Sequence, residues 1–221
     1  MPHPKRTDLP AIVAAAIEVL DERGLDGLSM YAIAARIGVR QPALYHHVGD
    51  KEELLAAVAA EVLARWHTDR LPAEGEPWAD FLTRNARSLR RAMLSVRDGA
   101  RLIAAAGPRS PDLDNAIAQT SLLEAQGFSG PNAVLAFITT ARYTIGATLE
   151  EQTARDGAAI VLPPGRSDHA AAHLAHVAGQ VNALGPDHEF EVGLTALRHG
   201  LARLRDPLEE PTNAIPPRAD V

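Results

Sequence analysis

The chain has 221 residues, of which 46% are hydrophobic, 23% charged and 4% aromatic, and none is cysteine. This length is enough for one or two domains with a sizeable core, while the lack of cysteine excludes a disulfide scaffold, a zinc site with thiolate ligands and a thiol nucleophile. The net charge of −6 argues against general coating of nucleic acid, but it lies wholly after residue 51, so the N-terminal part is not acidic.

Alanine and leucine are abundant, and alternating β-branched residues are rare, which predicts an all-α fold. Asp8 caps a first helix with one apolar face, and Gly24 ends it. Ser29 caps a second, short helix that Gly38 ends. A third short helix covers Arg40–Val48.

Asp50 begins a long fourth helix that runs to about His67, and Glu53 completes a capping box at its start. The later part of the chain predicts five more helices, at Trp78–Val96, Ser110–Gln126, Pro131–Arg155, Ser167–Ala183 and Asp187–Leu204. Residues 157–165 predict a loop, and the proline-rich residues 207–221 predict a disordered tail.

No apolar run approaches the roughly 20 residues that cross a membrane, and residues 1–10 lack the apolar core of a signal peptide. We therefore expect a cytoplasmic protein with no membrane partner.

The pattern of residue types in 28–51 predicts a surface that binds DNA bases. The second and third helices lean on the first, which leaves one face of the third helix free: Gln41, Ala43, His46 and His47, with Tyr45 beside them. Glutamine pairs with adenine edges, and alanine or aromatic carbons pack on the thymine methyl group. Lys51, at the start of the fourth helix, is placed to hold a phosphate together with the helix amides. The alternative is a plain three-helix subdomain with an incidental polar face.

The stretch LSMYAIAARIGVRQPALYHHVGDKEELL resembles the DNA-binding domain of the TetR family of bacterial transcriptional regulators. ARWHTDRLPAEGEPWADFLTRNARSLRRAM, RDGARL, QGFS and TIGATLEEQ resemble the tetracycline-repressor branch, so the resemblance covers about residues 8–205. It implies a helix-turn-helix DNA-binding domain at 1–50 and a helical ligand-binding and dimerisation domain at 51–206. It also implies a homodimer that binds a palindromic double-stranded operator and is released by a small inducer, which in this branch arrives as a magnesium chelate. We expect no cofactor for this chain.

The resemblance assigns operator contacts to nine residues: Tyr31, Arg40, Gln41, Pro42, Ala43, Tyr45, His46, His47 and Lys51. Three of them differ from the branch. Tyr31 stands where the branch has an arginine, Arg40 where it has an acidic residue and His46 where it has a tryptophan. We therefore expect a different operator. Our hypothesis is that Gln41 reads bases directly, while Tyr45 and Lys51 contact phosphates.

Four polar residues lie on otherwise apolar helices: His67, Asn85, Gln119 and Glu150. Each one alone is typical of a satisfied core or surface group, but together they match positions that contact the inducer in the branch. Apolar partners would be Leu89, Ile103 and Ala106, where the branch has phenylalanine, histidine and threonine.

Magnesium requires oxygen ligands and ordered water, which isoleucine and alanine do not supply. We therefore expect a polycyclic inducer that binds without magnesium. The alternatives are a true tetracycline–magnesium sensor with an altered metal site and a DNA-binding protein with no inducer.

Gly193 and Gly200 lie seven residues apart on the last helix, which favours close helix approach. The resemblance implies that this helix and Pro131–Arg155 pair with their twofold mates in a four-helix bundle.

Histidines at 169, 173 and 176 share a helical face, but without an acidic or cysteine partner we expect no metal there. No nucleophile–base set or phosphate-binding glycine loop occurs, so we expect no enzyme.

Overall fold

The computed structural model describes residues 8–106, 112–155 and 169–205, and within these ranges the secondary structure is helical with no strand. The predicted all-α fold class is confirmed. The predicted loop at 157–165 and the predicted tail at 207–221 lie outside the described residues. None of the described helices is long and apolar enough to cross a membrane.

The helices follow one another in chain order, and two short 3₁₀ helices accompany them. The α-helices are α1 Leu9–Gly27, α2 Met30–Ile37, α3 Lys51–Trp66, α4 Trp78–Leu94, α5 Gly99–Ala106, α6 Leu113–Ala125, α7 Gly130–Arg155 and α8 His169–Leu201. The 3₁₀ helices are Gln41–His46 and Ala202–Arg205.

The start signals of the first three α-helices are confirmed because each depends on local chemistry. The Asp8 carboxylate accepts a hydrogen bond from the Ala11 amide at 3.1 Å, and the Ser29 hydroxyl accepts one from the Ala32 amide at 3.2 Å. The Asp50 carboxylate accepts from the Glu53 amide at 2.7 Å, while the Glu53 carboxylate accepts from the Gly49 amide at 2.7 Å. This reciprocal pair is the predicted capping box.

The structure differs from the predicted elements in two places. The third helix is a 3₁₀ helix, a form typical of short helical pieces. Helix α5 was not predicted, because it has only eight residues and begins at a glycine. The two helices predicted at the C-terminal end are confirmed, because Gly185, whose φ is 80°, and Pro186 break α8 between the two predicted spans.

One hydrophobic cluster joins the N-terminal helices to the body of the chain. Its buried residues come from α1, α2 and the first 3₁₀ helix, and it continues through Leu54, Val58 and Val62 of α3 to Leu102 and Ala106 of α5. The cluster therefore extends across the domain boundary predicted at residue 50, and that boundary stays a prediction. Helix α3 packs against helices that lie before the boundary and against α5, which lies after it, and so connects the two parts.

A second cluster lies at the other end of the body. Phe81 of α4 is fully buried there, beside Leu123 of α6, Phe128 and Leu201 of α8. This cluster fixes α4 and α6, the helices that carry the predicted ligand residues Asn85 and Gln119.

Candidate DNA-binding face and ligand site

The predicted DNA-contacting residues lie together at the N-terminal end of the molecule. Leu44 and Val48 are buried and anchor the first 3₁₀ helix from beneath. Gln41 and Ala43 are half-buried at its edge. The remaining predicted contacts are exposed: Tyr31, Arg40, Pro42, Tyr45, His46, His47 and Lys51. We call these nine residues the recognition face.

Internal contacts organise the recognition face. The Gln41 side-chain amide donates to the Tyr45 hydroxyl at 3.3 Å, which holds the amide along the helix surface. Arg36, the cation of α2, is paired with Glu18 and Glu22 of α1. Within the recognition face itself, the cationic side chains available to phosphate are Arg40 and Lys51.

Three of the predicted ligand residues meet at the segment that follows α3. The Asn85 amide nitrogen donates to the Asp69 carbonyl at 3.0 Å, and the Gln119 amide nitrogen donates to the Arg70 carbonyl at 2.7 Å. His67, the residue that caps α3, lies 3.0 Å through its Nδ1 from the Ser88 hydroxyl. A carbonyl only accepts hydrogen bonds, so each contact fixes the nitrogen side of the amide on the backbone.

Sequence reasoning missed the residues that hold this segment in place. The Ser88 hydroxyl oxygen accepts from the Asp69 amide at 3.1 Å, and the Asp69 carboxylate is bound by Arg84 at 3.0 Å and by Arg91 at 2.8 Å. The available signal was the i, i+4, i+7 spacing of these three α4 residues, which places them on one face.

His67 is neutral near pH 7. Its side chain is buried, with 8% of its surface exposed, and burial together with the positive charge of Arg70 lowers its pKa from 6.5 to about 4. A neutral imidazole carries one donor and one acceptor nitrogen, so its partners decide which nitrogen donates.

The predicted apolar ligand residues lie on α4 and α5. Leu89 is half-buried on α4, one residue after Ser88. Ile103 is half-buried and packs against the first cluster, of which Ala106 is a buried member. None of these three side chains has a polar atom.

Glu150 stands apart from the other predicted ligand residues. It is exposed on α7, and among the described residues no hydrogen bond or ion pair joins it to His67, Asn85 or Gln119. Its neighbour Glu151 is buried instead, and Arg90 binds it at 2.7 Å.

The remaining polar groups do not assemble a second site. His173 and His176 are exposed, the side chain of His169 lies outside the described residues, and the described part of the chain holds no cluster of three metal-ligating side chains. An open groove of about 480 Å³ lies on the arginine-rich side of α4, and none of the predicted ligand residues lines it.

A polar latch ties the recognition end to α5. The Asp98 carboxylate accepts from the Leu25 amide at 2.6 Å, and Arg101 pairs with Asp26 at 2.9 Å. Gly24 turns the chain here with a φ of 70°, and a Cβ atom on it would lie 2.7 Å from the Asp98 carboxylate. Glycine is thus required at this position for both conformation and space.

Comparisons with known proteins agree over nearly the whole described chain. Residues 12–58 match the bacterial regulatory proteins of the tetR family, and residues 71–205 match the tetracyclin repressor-like C-terminal domain. Tetracycline repressor protein class A from transposon 1721 of Escherichia coli is 40% identical over 194 residues, 88% of this chain and 90% of that protein.

Solved structures give the same result. TetR from Acinetobacter baumannii AYE has a TM-score of 0.76 and 36% identity, covering 90% of this chain and 99% of that one. TetR (class A) in complex with 5a,6-anhydrotetracycline and magnesium has a TM-score of 0.67 and 38% identity, covering 87% and 96%. The chain belongs to the TetR family of DNA-binding transcriptional repressors.

Proposed function

We propose that this protein is a homodimeric repressor whose operator binding is released by a polycyclic inducer that binds without magnesium. The observation that carries the proposal is the meeting of His67, Asn85 and Gln119 at the short segment that follows α3. A few polar groups converging beside apolar surface are typical of a small-molecule site.

The residues present do not fit a magnesium chelate at the α5 end of this site. Ile103 and Ala106 have no donor atoms, and both pack against the first hydrophobic cluster. Glu150 is exposed and has no hydrogen bond to the three polar residues within the described part of the chain, and Glu151 is paired with Arg90 and Arg155. A hard cation that needs oxygen ligands in octahedral geometry finds few of them here.

The dimer is supported by apolar surface that the other described residues leave uncovered. Helix α8 exposes four apolar side chains at spacings of three and four residues: Leu174, Val177, Val181 and Leu184. Helix α7 exposes Val134, Leu135 and Ile138. Such contiguous apolar faces mark protein interfaces, and twofold pairing would set two recognition faces roughly 34–36 Å apart, one turn of duplex.

Helix α3 supports a route from ligand to DNA. It begins at Lys51 of the recognition face and ends at Trp66, with His67 as its cap. Ligand contact at His67 would shift α3 and with it the spacing of the two recognition faces. Coupling of this kind is reciprocal, so operator weakens ligand binding by the same factor.

The test measures tetracycline binding by fluorescence, first with magnesium and then with a chelator. We expect weak or metal-indifferent binding. The matched variant combines Ile103→His with Ala106→Thr, which restores donor atoms, and we expect it to gain magnesium-dependent binding. Tight binding by the unmodified protein that disappears on chelation would overturn the proposal and favour a true tetracycline–magnesium sensor.

A DNA-binding protein with no inducer is the remaining alternative. A thermal-shift screen against polycyclic compounds separates the two, because a ligand of the folded dimer raises its melting temperature. Compounds that raise the melting temperature are then tested for release of the protein from DNA.

A further inference from the structure

Ser88 has an unusual hydrogen-bonding position for a helical hydroxyl. Five threonine hydroxyls in the described helices donate back to the carbonyl four residues earlier: Thr83, Thr140, Thr144, Thr148 and Thr153. The Ser88 hydroxyl instead faces out of α4, toward the Asp69 amide at 3.1 Å and toward Nδ1 of His67 at 3.0 Å.

The hydrogen atom of this hydroxyl has one acceptor within the described residues. The Asp69 amide is a donor, so the Ser88 oxygen accepts from it and its own hydrogen must go elsewhere. Ser88 has 0% of its surface exposed, so water does not supply an acceptor. The remaining contact is Nδ1 of His67, which therefore accepts.

We propose that Ser88 is a positioning residue that fixes the His67 ring in the tautomer with its hydrogen on Nε2. The described residues give Nε2 no partner, and no buried side-chain nitrogen among them lacks one, so Nε2 reaches the surface of the site. The site then presents a donor at His67. It selects a ligand edge with a hydrogen-bond acceptor opposite Nε2 of His67.

The tautomer is a property of the unliganded protein, whereas the statement about the ligand rests on the proposed function. The neutral state of the ring, which its lowered pKa supports, allows a single tautomer to dominate at pH 7. Nothing in the hydrogen-bond argument requires an inducer.

The test uses the full chain with histidine labelled by nitrogen-15 and reads ring protonation from two-bond nitrogen–proton correlations. The nine histidines of the chain are resolved by comparison with His67→Gln, which removes one set of signals. We expect Nδ1 of His67 to be unprotonated and Nε2 to be protonated. A proton on Nδ1, or an even mixture of tautomers, would overturn the proposal without any substitution at Ser88.

Two variants then assign the effect to the hydroxyl. Ser88→Ala is expected to give a mixture of tautomers, and Ser95→Ala, which removes a hydroxyl bonded to its own helix, is expected to leave His67 unchanged. Circular dichroism checks that both variants are folded. If the His67 signals of folded Ser88→Ala match those of the unmodified protein, Ser88 does not fix the ring.

Ligand binding is scored separately, with 5a,6-anhydrotetracycline in the presence of a chelator as the probe. We expect Ser88→Ala to weaken binding about 10-fold, the scale of a lost second-layer contact. If the unmodified protein does not bind the probe, the proposed function loses support while the tautomer measurement remains decisive for Ser88.

Discussion

At the scale of single residues, the candidate site is held together by contacts to the backbone. The side-chain amides of Asn85 and Gln119 each donate a hydrogen bond to a backbone carbonyl of the segment after α3. Ser88 and Arg84 bind Asp69 of the same segment. Residues singled out as ligand contacts therefore also fix the end of α3. A ligand that engages them acts directly on that segment.

His67 gives this site a measurable pH dependence. Its pKa is about 4 in the folded chain against 6.5 when unperturbed, so unfolding takes up a proton between these values. The free energy of unfolding should fall as pH drops from 6.5 to about 4, by up to about 3 kcal/mol at roughly 1.4 kcal/mol per pKa unit, and His67 should contribute no slope above pH 7.

Urea unfolding across this pH range checks the prediction. His67→Gln should lose this part of the slope, while the exposed control His188→Gln should keep it. Parallel stability curves for the unmodified protein and His67→Gln would contradict it.

At the scale of helices, local signals were readable and long-range contacts were not. The caps at Asp8, Ser29 and Asp50 follow from a side chain and an amide three residues apart, so sequence alone predicts them. Ser88 acts on His67 across 21 residues of chain, a contact that only folding creates. Glu150 and Glu151 differ by about 100° around α7, and no sequence signal told which would be buried.

The latch between α1 and α5 should contribute more stability than a surface ion pair. Asp98→Gly removes the acceptor of the Leu25 amide but tolerates the positive φ of 56° at this position. We expect the free energy of unfolding to fall by about 1–3 kcal/mol, since a part-buried amide loses its partner.

The matched control is Asp26→Ala, which removes an exposed partner of Arg101. An exposed ion pair contributes little to stability, so the control should unfold at nearly the original urea concentration. Equal losses for the two variants would mean that the Asp98 contact to the backbone carries no special weight.

At the scale of the whole molecule, two glycines of α8 meet different surroundings. A Cβ atom on Gly193 would lie 2.2 Å from the Tyr143 hydroxyl, so this glycine allows α7 and α8 of one chain to pack closely. A Cβ atom on Gly200 would meet nothing within 4 Å among the described residues. The heptad spacing predicted close approach for both, and within one chain only Gly193 has it.

A substitution at Gly200 tests whether this residue lies at the proposed dimer interface. Gly200→Leu should leave the helical content of the chain unchanged but weaken dimerisation at least 10-fold if a partner helix approaches there. Gly193→Ala should instead lower the free energy of unfolding, because Tyr143 must move. Sedimentation over a range of concentrations measures the first effect and urea unfolding the second. A Gly200→Leu dimer of undiminished affinity would place the interface elsewhere on α8.

If α3 carries the ligand signal as proposed, its length sets how small a displacement would suffice to release DNA. Its 16 residues span about 24 Å at roughly 1.5 Å per residue, so a tilt of about 5° moves one end by roughly 2 Å relative to the other. In a twofold dimer the α3 helices of both protomers would tilt. The two displacements would then add to roughly 4 Å of mismatch against a stiff duplex. That is more than the length of a hydrogen bond. On the proposed route, a small displacement of the α3 cap by a ligand would therefore break the contacts of the recognition face together.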